Sequence, residues 1–543
     1  MDKPFAVTLD VGSSLANRTG SWRVERPVYV DRLPPCNDAC PAGENVQGWL
    51  YHAEEGSYEA AWRELVTQNP LPAVSGRICY HPCETACNRA HVDEAVGIHG
   101  VERFLGDLAR TNGWRVTPDA PASGKRVLVV GSGPSGLSAS YHLALAGHSV
   151  TLAESSPELG GMMGYGIPKY RLPRDVLDAE IESILSLGIE VQTGRRIEDV
   201  EAVKRDGGFD AVYLALGAQL ARRAYIPAAD SAHILDALSF LASAEGGADA
   251  APRIGRRVIV YGGGNTAMDS ARTARRLGAT EAVVVYRRTR EQMPAHESEL
   301  EEALAEGIEM TWLSTLASIE DGAVVIEKMV LDESGFPQPT GEYETLGADT
   351  VVLALGQEAD LSAVESLGGV ATRDGMLEVG ADMSTGVPGV FAGGDMVPAD
   401  RTATVAIGHG KKAARAIGAW LRGGSLAHAT RHELASFDKL NTWYYDDAPR
   451  TVQGELEFVR RQNGFEEVVA GLDVDSALFE ARRCLSCGNC FECDNCFGVC
   501  PDNAVVKLGP GERYAFDYDY CKGCGICVSE CPCGAIVMVP ETI

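Results

Sequence analysis

The stretch RVLVVGSGPSGLSASYHLALAGHSVTLAE, residues Arg126–Glu154, decides how the rest of the chain is read. Val127–Val130 is a short apolar run, the pattern of a buried parallel strand. The turn Gly131-Ser132-Gly133-Pro134-Ser135-Gly136 follows it. Then come roughly a dozen residues of helical periodicity, a second apolar strand at Val150–Leu152, and Glu154. Strand, glycine turn, helix, strand and terminal acid make a dinucleotide-binding βαβ unit. Gly131 permits the tight turn, Gly133 lets backbone approach a pyrophosphate, and Gly136 lets the helix pack against the strand. The helix N-terminus then faces the anion. Glu154 stands 23 residues after Gly131, where a carboxylate accepts hydrogen bonds from ribose hydroxyls. The bland alternative, a structural glycine turn, does not require the acid to fall in register.

A second unit begins at Val258–Tyr261 and turns through Gly262-Gly263-Gly264-Asn265-Thr266-Ala267, with alanine in the third position. Its next strand, Val283–Tyr286, ends in Arg287-Arg288 rather than an acid, and Arg290 is close by. An acid there would repel a 2′-phosphate, whereas a guanidinium pairs with it bidentately. The first unit therefore suits the ADP half of FAD and the second suits NADPH. NAD remains open, as does a solvated role for the arginines. Further candidates lie in the glycine-dense segment around Gly161, Gly166, Ile167 and Pro168, where backbone can approach a flat ring. Others are Gly217 after the strand-like Asp210–Ala218, Gly394 and Asp395 closing VFAGGD, and Thr404 at the start of a helical run. Thr350–Gly356, TVVLALG, is expected to return the chain to the first unit. This gives an FAD domain over 123–251 and 348–425 with a nicotinamide domain, 252–347, inserted. Thr117–Gly124 and Gly246–Pro252 read as linkers, and 426–483 as a linking segment packed against the flavoprotein.

The chain has 543 residues, too many for one domain, and a formal net charge of −28. That charge argues against nucleic acid and anionic membrane as partners. No apolar run reaches the roughly 18 residues of a membrane span. The N-terminus lacks the features of a signal peptide, so a cytoplasmic protein is expected.

Sixteen cysteines are present, none of them between Cys87 and Cys484. In a reducing compartment, clustered thiols point to metal sites rather than disulfides. Cys490, Cys493, Cys496 and Cys500 form one C-x2-C-x2-C-x3-C-P run, and Cys521, Cys524, Cys527 and Cys531 form a second. The doubled spacing defines a two-cluster ferredoxin domain over 484–543, in which the fourth cysteine of each run ligates the other [4Fe-4S] cluster. Zinc does not produce this spacing. Cys36, Cys40, Cys79, Cys83 and Cys87 give the N-terminal end, 1–115, the look of a small helical iron–sulfur domain. Residues 1–30 carry no readable motif.

GSGPSG, GGMMGYGIP, GGGNTAMD, YRRTREQMP and VFAGGD, in this order, resemble the small (β) subunit of NADPH-dependent glutamate synthase. The same module resembles the N-terminal part of dihydropyrimidine dehydrogenase and the larger subunit of NADH-dependent reduced ferredoxin:NADP oxidoreductases. The resemblance covers residues 36–425. It implies an α/β fold with two Rossmann-like domains, FAD on the first fingerprint and NADPH on the second. It also implies two N-terminal [4Fe-4S] clusters, one held by Cys40, Cys79, Cys83 and the carboxylate Glu102. The usual first ligand run, CxxCxxxxCxxxC, is incomplete here, with only its last two positions present as Cys36 and Cys40. Cys484 and Cys487 resemble the missing CxxC placed at the opposite end. On this reading Cys36, Cys87, Cys484 and Cys487 hold a further cluster, four in all, and Cys533 is spare. The alternative is a degenerate N-terminal domain with one cluster and free thiols.

These features imply an NAD(P)H-linked electron-transfer subunit of a hetero-oligomer, without protein acids or bases as catalysts. The appended ferredoxin domain points to a 2-oxoacid:ferredoxin-type oxidoreductase, of the phenylglyoxylate dehydrogenase kind, as the catalytic partner. A glutamate synthase small subunit, a stand-alone NAD(P)H:ferredoxin oxidoreductase and a non-catalytic electron-wiring scaffold are the alternatives.

Overall fold

The computed structural model describes residues 18–541 except 223, 231, 246–251, 366 and 427–430. The anticipated linker at 246–252 thus lies almost wholly outside the described residues. Two five-stranded parallel sheets form the middle of the molecule. The first has the order Val390–Ala392, Ala211–Leu214, Arg126–Val130, Ser149–Ala153, Glu190–Gln192. Helices cover both faces, and Val127, Leu128 and Val129 are fully buried. Pro134 starts the helix Pro134–Leu145, where a missing N–H costs nothing. That helix packs on Ala403–Leu421, whose cap residue Thr402 accepts a 3.2 Å hydrogen bond from the Val405 N–H.

The second sheet has the order Glu309–Thr311, Glu281–Val285, Arg257–Tyr261, Thr350–Leu353, Ile234–Asp236. Here the expected boundary is corrected. Thr350–Leu353 does not return to the first sheet but pairs with Arg257–Tyr261, and Ile234–Asp236, before residue 252, is its other neighbour. An apolar run identifies a buried strand but not which sheet it joins, because both sheets offer equally apolar neighbours. A three-stranded antiparallel sheet, Ser314–Glu320, Ala323–Leu331 and Pro337–Gly347, packs its Leu316, Ile319 and Ile326 against this unit.

A buried ionic seam joins the two units. Arg171, from the first, pairs with Asp269 at 2.9 Å and with Glu299. Arg272 and Arg276 share Glu306 at 2.8 and 2.6 Å, and the Arg276 guanidinium lies 3.7 Å from the ring centre of Tyr170. The segment after 430 locks this seam. Val468 N–H donates to Tyr170 O at 2.9 Å, and Gln462 donates to Glu306 O at 3.0 Å.

At the N-terminal end, Val46–Thr67 folds as two helices, Val46–Glu54 and Tyr58–Val66, broken at Gly56 (φ +74°). With Ile98–Asn112 they bury Trp49, Leu50, Leu65 and Leu105. Helix Val474–Arg482 inserts Ala477 and Ala481 into the same core. The segment 426–483 is therefore part of the helical domain as well as a link, since two alanines one turn apart allow close helix packing.

The C-terminal end carries the hairpin Val505–Lys507/Tyr514–Phe516 and the strand Ile536–Pro540. That last strand pairs antiparallel with Glu25–Tyr29, Tyr29 opposite Ile536. Residues 25–29 thus belong to the ferredoxin end, not to the helical domain over 1–115. Five residues with a proline inside give no strand signal, and their partner is more than 500 residues away. Among the described residues no helix is long and apolar enough to cross a membrane.

Candidate functional site

One cleft of about 770 Å³ lies between the two units and is lined by both glycine turns. Its size is that of a cofactor site. Of the fingerprint candidates, Gly131–Ser135, Glu154, Gly161, Gly166, Ile167, Gly217, Gly262–Thr266, Arg287, Arg288, Gly394 and Asp395 line it. Gly136, Pro168, Ala267 and Thr404 do not. Gly136 serves packing, since a Cβ there would sit 1.8 Å from Gly131 O. Ala267 is in the hydrophobic core, and Pro168 is buried beneath a turn closed by the Arg171 N–H. Thr404 faces the Cys79 thiol and favours its ionised form.

Gly131 needs its left-handed φ of +101°, with Ala215 O 2.3 Å from where a Cβ would lie. Gly262 repeats the arrangement against Ala354 O at 2.2 Å. Glu154 lines the cleft and has a second task in the turn. Its Oε2 accepts from Ser132 N–H at 2.8 Å and Ser132 Oγ at 2.7 Å, so it also clamps the turn. In the second unit Arg287 is exposed, and neither Arg287 nor Arg288 forms an ion pair among the described residues. Arg290, by contrast, is engaged by Glu297 and Glu301. Both guanidiniums, without a carboxylate partner among the described residues, border the cleft, Arg288 beside the Tyr286 hydroxyl.

The sixteen cysteines are all free thiols, and the fold gathers them. Ile78 and Tyr80 are in the cleft wall, and Cys79 stands between them. Burial pushes the Cys79 thiol up to about 12, with Glu102 adding to the shift. Burial also raises Cys83, helped by Glu84, Cys79, Cys40 and Glu102, so these groups crowd one site. Glu102 Oε1 accepts from Asn69 Nδ2 at 3.0 Å, and the same amide reaches Glu44 at 2.9 Å. Glu44 is buried and belongs to this site, although no sequence motif marks it.

A second cavity is lined by Cys36, Cys87, Cys484 and Cys487. Burial raises Cys36, with Cys484, Cys87 and Cys487 adding to it. Asn88 Nδ2 donates to Cys487 Sγ at 3.4 Å and to Ala435 O at 2.8 Å. The two sequence-distant halves are held by buried charge. Glu480 accepts from Gly97 N–H at 2.7 Å and pairs with Arg483 at 3.0 Å, and Arg483 reaches Asp93 at 3.2 Å.

A third cavity is lined by Cys500, Cys521, Cys524 and Cys527. Cys490, Cys493, Cys496 and Cys531 crowd one another in turn: burial raises the first three, with the charge of Cys531 adding to each, while the contact with Cys533 brings Cys531 down to about 7. The fourth cysteine of each run has crossed to the other set. Four thiols converging on one place, without disulfides, are the donor set that a [4Fe-4S] cluster requires. Three thiols with one carboxylate are a harder variant of it.

The histidines near these motifs contact one another, a carboxylate and backbone. His81 and His99 stack with ring centres 3.8 Å apart, and His99 Nδ1 lies 3.0 Å from Glu84 Oε1. Burial alone would raise Glu84, but His99, His81 and Arg450 outweigh it and bring it down to about 2. His409 Nδ1 accepts from Gly394 N–H at 3.2 Å and so shapes the VFAGGD turn.

Two nucleotide folds facing one cleft, with converging thiol sets contributed by both ends of the chain, define an NAD(P)H-dependent flavin and iron–sulfur oxidoreductase. The chain belongs to the pyridine nucleotide-disulphide oxidoreductase family, whose model matches residues 98–410. Residues 25–114 match dihydropyrimidine dehydrogenase domain II, a 4Fe-4S cluster domain, and 514–537 match a 4Fe-4S binding domain. The chain is 35% identical to the NADP(+)-dependent formate dehydrogenase subunit beta of Moorella thermoacetica, over 83% of this chain and 70% of that protein. It is 33% identical to the NADPH-Fe(3+) oxidoreductase subunit beta of Geobacter sulfurreducens, over 86% and 77%. It is also 33% identical to the glutamate synthase [NADPH] small chain of Escherichia coli K12, over 72% and 89%.

Proposed function

We propose that this chain is the electron-distributing subunit of a multisubunit NADPH-linked oxidoreductase. The observation that carries the reading is the shared wall at Ile78–Cys79–Tyr80, which faces the nucleotide cleft on one side and the first thiol site on the other. When bound, FAD exchanges hydride with the nicotinamide and single electrons with the clusters. The protein's own part is placement. The Gly131 turn and Glu154 would hold the FAD pyrophosphate and ribose, the Gly262 turn would hold the nicotinamide dinucleotide, and Arg287 with Arg288 would select a 2′-phosphate. Cys40, Cys79, Cys83 and Glu102 would hold the cluster beside the cleft. Cys36, Cys87, Cys484 and Cys487 would hold the next, and the two ferredoxin sets would hold the last pair.

The relatives bear on the partner. Two of the three are beta subunits, of a formate dehydrogenase and of an Fe(3+) oxidoreductase, so a catalytic subunit that receives or supplies electrons is the natural companion. The expected 2-oxoacid:ferredoxin-type partner has no counterpart among these three relatives, and a formate dehydrogenase-like catalytic subunit fits them better. The glutamate synthase small chain matches 72% of this chain, which keeps a glutamate synthase-type partner as the second reading.

Anaerobic addition of NADPH to the purified chain tests the reading. Flavin absorbance bleaches with NADPH, and a higher NADH concentration is needed for the same effect. No bleaching with either nucleotide overturns it. Iron and acid-labile sulfide at about sixteen per chain support four clusters, and about twelve removes the one built from both ends.

A further inference from the structure

Helix Ala403–Leu421 is wedged between the first nucleotide turn and the turn that follows Cys40. Neither contact leaves room for a side chain. A Cβ at Gly410 would run into Ser135 O, in the first glycine turn, and a Cβ at Gly408 would run into Pro41 O, next to Cys40. Thr404, on the same helix, faces Cys79. The helix turns one further residue toward this thiol site. Lys411 is buried, and its ammonium donates to Ala42 O, to Gly43 O at 3.0 Å and to Gln68 Oε1 at 3.0 Å. The turn after Cys40 is shaped to receive it. Gly43 N–H donates to Cys40 O at 2.9 Å and closes the turn. Gly43 has φ +67°, and a Cβ on it would lie 2.8 Å from Lys411 Nζ.

All three acceptors of the ammonium are neutral, and Lys411 forms no ion pair among the described residues. A buried charge is ordinarily paired or faces a metal site. Burial, and then the charge of Arg415, bring Lys411 down to about 8, so it is still a cation at neutral pH. The acidic groups that oppose this lowering are Cys40 first and Glu44 second, both at the first thiol site.

We propose that Lys411 is a positioning residue that fixes a buried positive charge in the Cys40–Gly43 turn and thereby makes the cluster held by Cys40, Cys79, Cys83 and Glu102 easier to reduce. Three thiolates and a carboxylate concentrate negative charge, and an added electron deepens it. A fixed cation in a medium of low dielectric offsets that electron. The helix that carries this charge also abuts the FAD turn, so one element sets both the spacing of the two sites and the charge between them. This inference rests on the reading that this set holds a [4Fe-4S] cluster.

The test is a potentiometric titration of the anaerobic holoprotein followed by electron paramagnetic resonance, with iron and FAD measured on every variant. Cys40→Ala assigns the signal, as the one lost together with about four irons. Lys411→Met removes the charge, and Lys411→Gln removes the charge but keeps a donor for the turn. Both shift the assigned signal to lower potential and leave the other cluster signals in place. The expected shift is about a tenfold loss in the reduced-to-oxidised ratio, or about 59 mV for one electron. Lys411→Arg, which keeps a cation, holds most of the wild-type potential. Unchanged potentials in both neutral variants at full iron overturn the inference, as does an equal shift of every cluster signal. A shift in the Met variant that the Gln variant lacks also overturns it, because the turn's hydrogen bonds would then be responsible. Loss of this cluster's iron from both neutral variants, with FAD retained, marks a purely structural lysine and overturns it as well. If Cys40→Ala loses neither iron nor a signal, the underlying cluster reading fails instead.

Discussion

The middle of the molecule and its two ends are assembled by opposite rules. In the middle, each nucleotide turn is made by a contiguous stretch, and its acid or arginines follow within a few dozen residues. At the ends, every thiol set draws on separated segments, and the two termini complete each other. The C-terminal segment brings Cys484 and Cys487 to a cavity whose other thiols are Cys36 and Cys87. The N-terminal segment returns the strand Glu25–Tyr29 to the ferredoxin end. A nucleotide site needs a local backbone shape, whereas a four-thiol site needs only that four sulfurs converge, whatever their order in the chain. The ends are therefore free to exchange parts, and the middle is not.

The most damaging way to break the contrast is at the shared cavity. Cys484→Ala with Cys487→Ala should lower iron from about sixteen to about twelve per chain. Flavin reduction by NADPH should continue while reduction of the ferredoxin clusters slows sharply, as read by stopped-flow absorbance. If the middle is as self-contained as its sequence, FAD content will not change. Removing residues 18–30 attacks the reverse exchange. It should leave nucleotide binding intact but expose the ferredoxin end to protease and lower its iron, because Ile536–Pro540 loses its partner strand.

A smaller but still large effect is expected at the charge that holds the ends together. Glu480 is buried, and its loss would leave the buried Arg483 with Asp93 alone as carboxylate partner among the described residues, and the Gly97 N–H without its acceptor. Glu480→Ala should destabilise the folded chain by about 3–5 kcal/mol, seen in anaerobic thermal unfolding of the holoprotein. The middle answers with a local change. Arg287→Ala with Arg288→Ala should raise KM for NADPH by about 10- to 100-fold, at about 1.4 kcal/mol per tenfold, and leave KM for NADH nearly unchanged. An equal rise for both nucleotides would show that these arginines do not read the 2′-phosphate.

Much of the candidate site was legible because its signals are local. Gly131, Glu154, Gly262 and the doubled cysteine runs each announce a geometry through spacing alone. Other parts were not legible, for physical reasons particular to each. Thr350–Leu353 has the composition of a buried strand, but composition does not say which of two apolar sheets it enters. Thr404 begins a helix at the expected place, yet helical phase turns its hydroxyl toward Cys79 rather than into the cleft. Glu44 lacks any motif and joins the Glu102 site only through the shared amide of Asn69. Helix Val474–Arg482 carries a plain acidic sequence, and only its two buried alanines reveal that it completes the helical core.

The sequence by itself determined the two nucleotide turns, the acid that marks one and the arginines that mark the other. It also determined the crossed pairing expected of the ferredoxin cysteines. These follow from backbone geometry and ligand spacing over short distances, which residue order encodes directly. The tertiary structure alone decided that Thr350–Leu353 and Ile234–Asp236 flank Arg257–Tyr261 and that Glu25–Tyr29 closes the ferredoxin end, and it brings Cys36, Cys87, Cys484 and Cys487, expected together from the resemblance, around one cavity. Each of these depends on contacts between distant segments. The burial and hydrogen bonding that select such contacts act on neighbours in space, and residue order does not specify those neighbours.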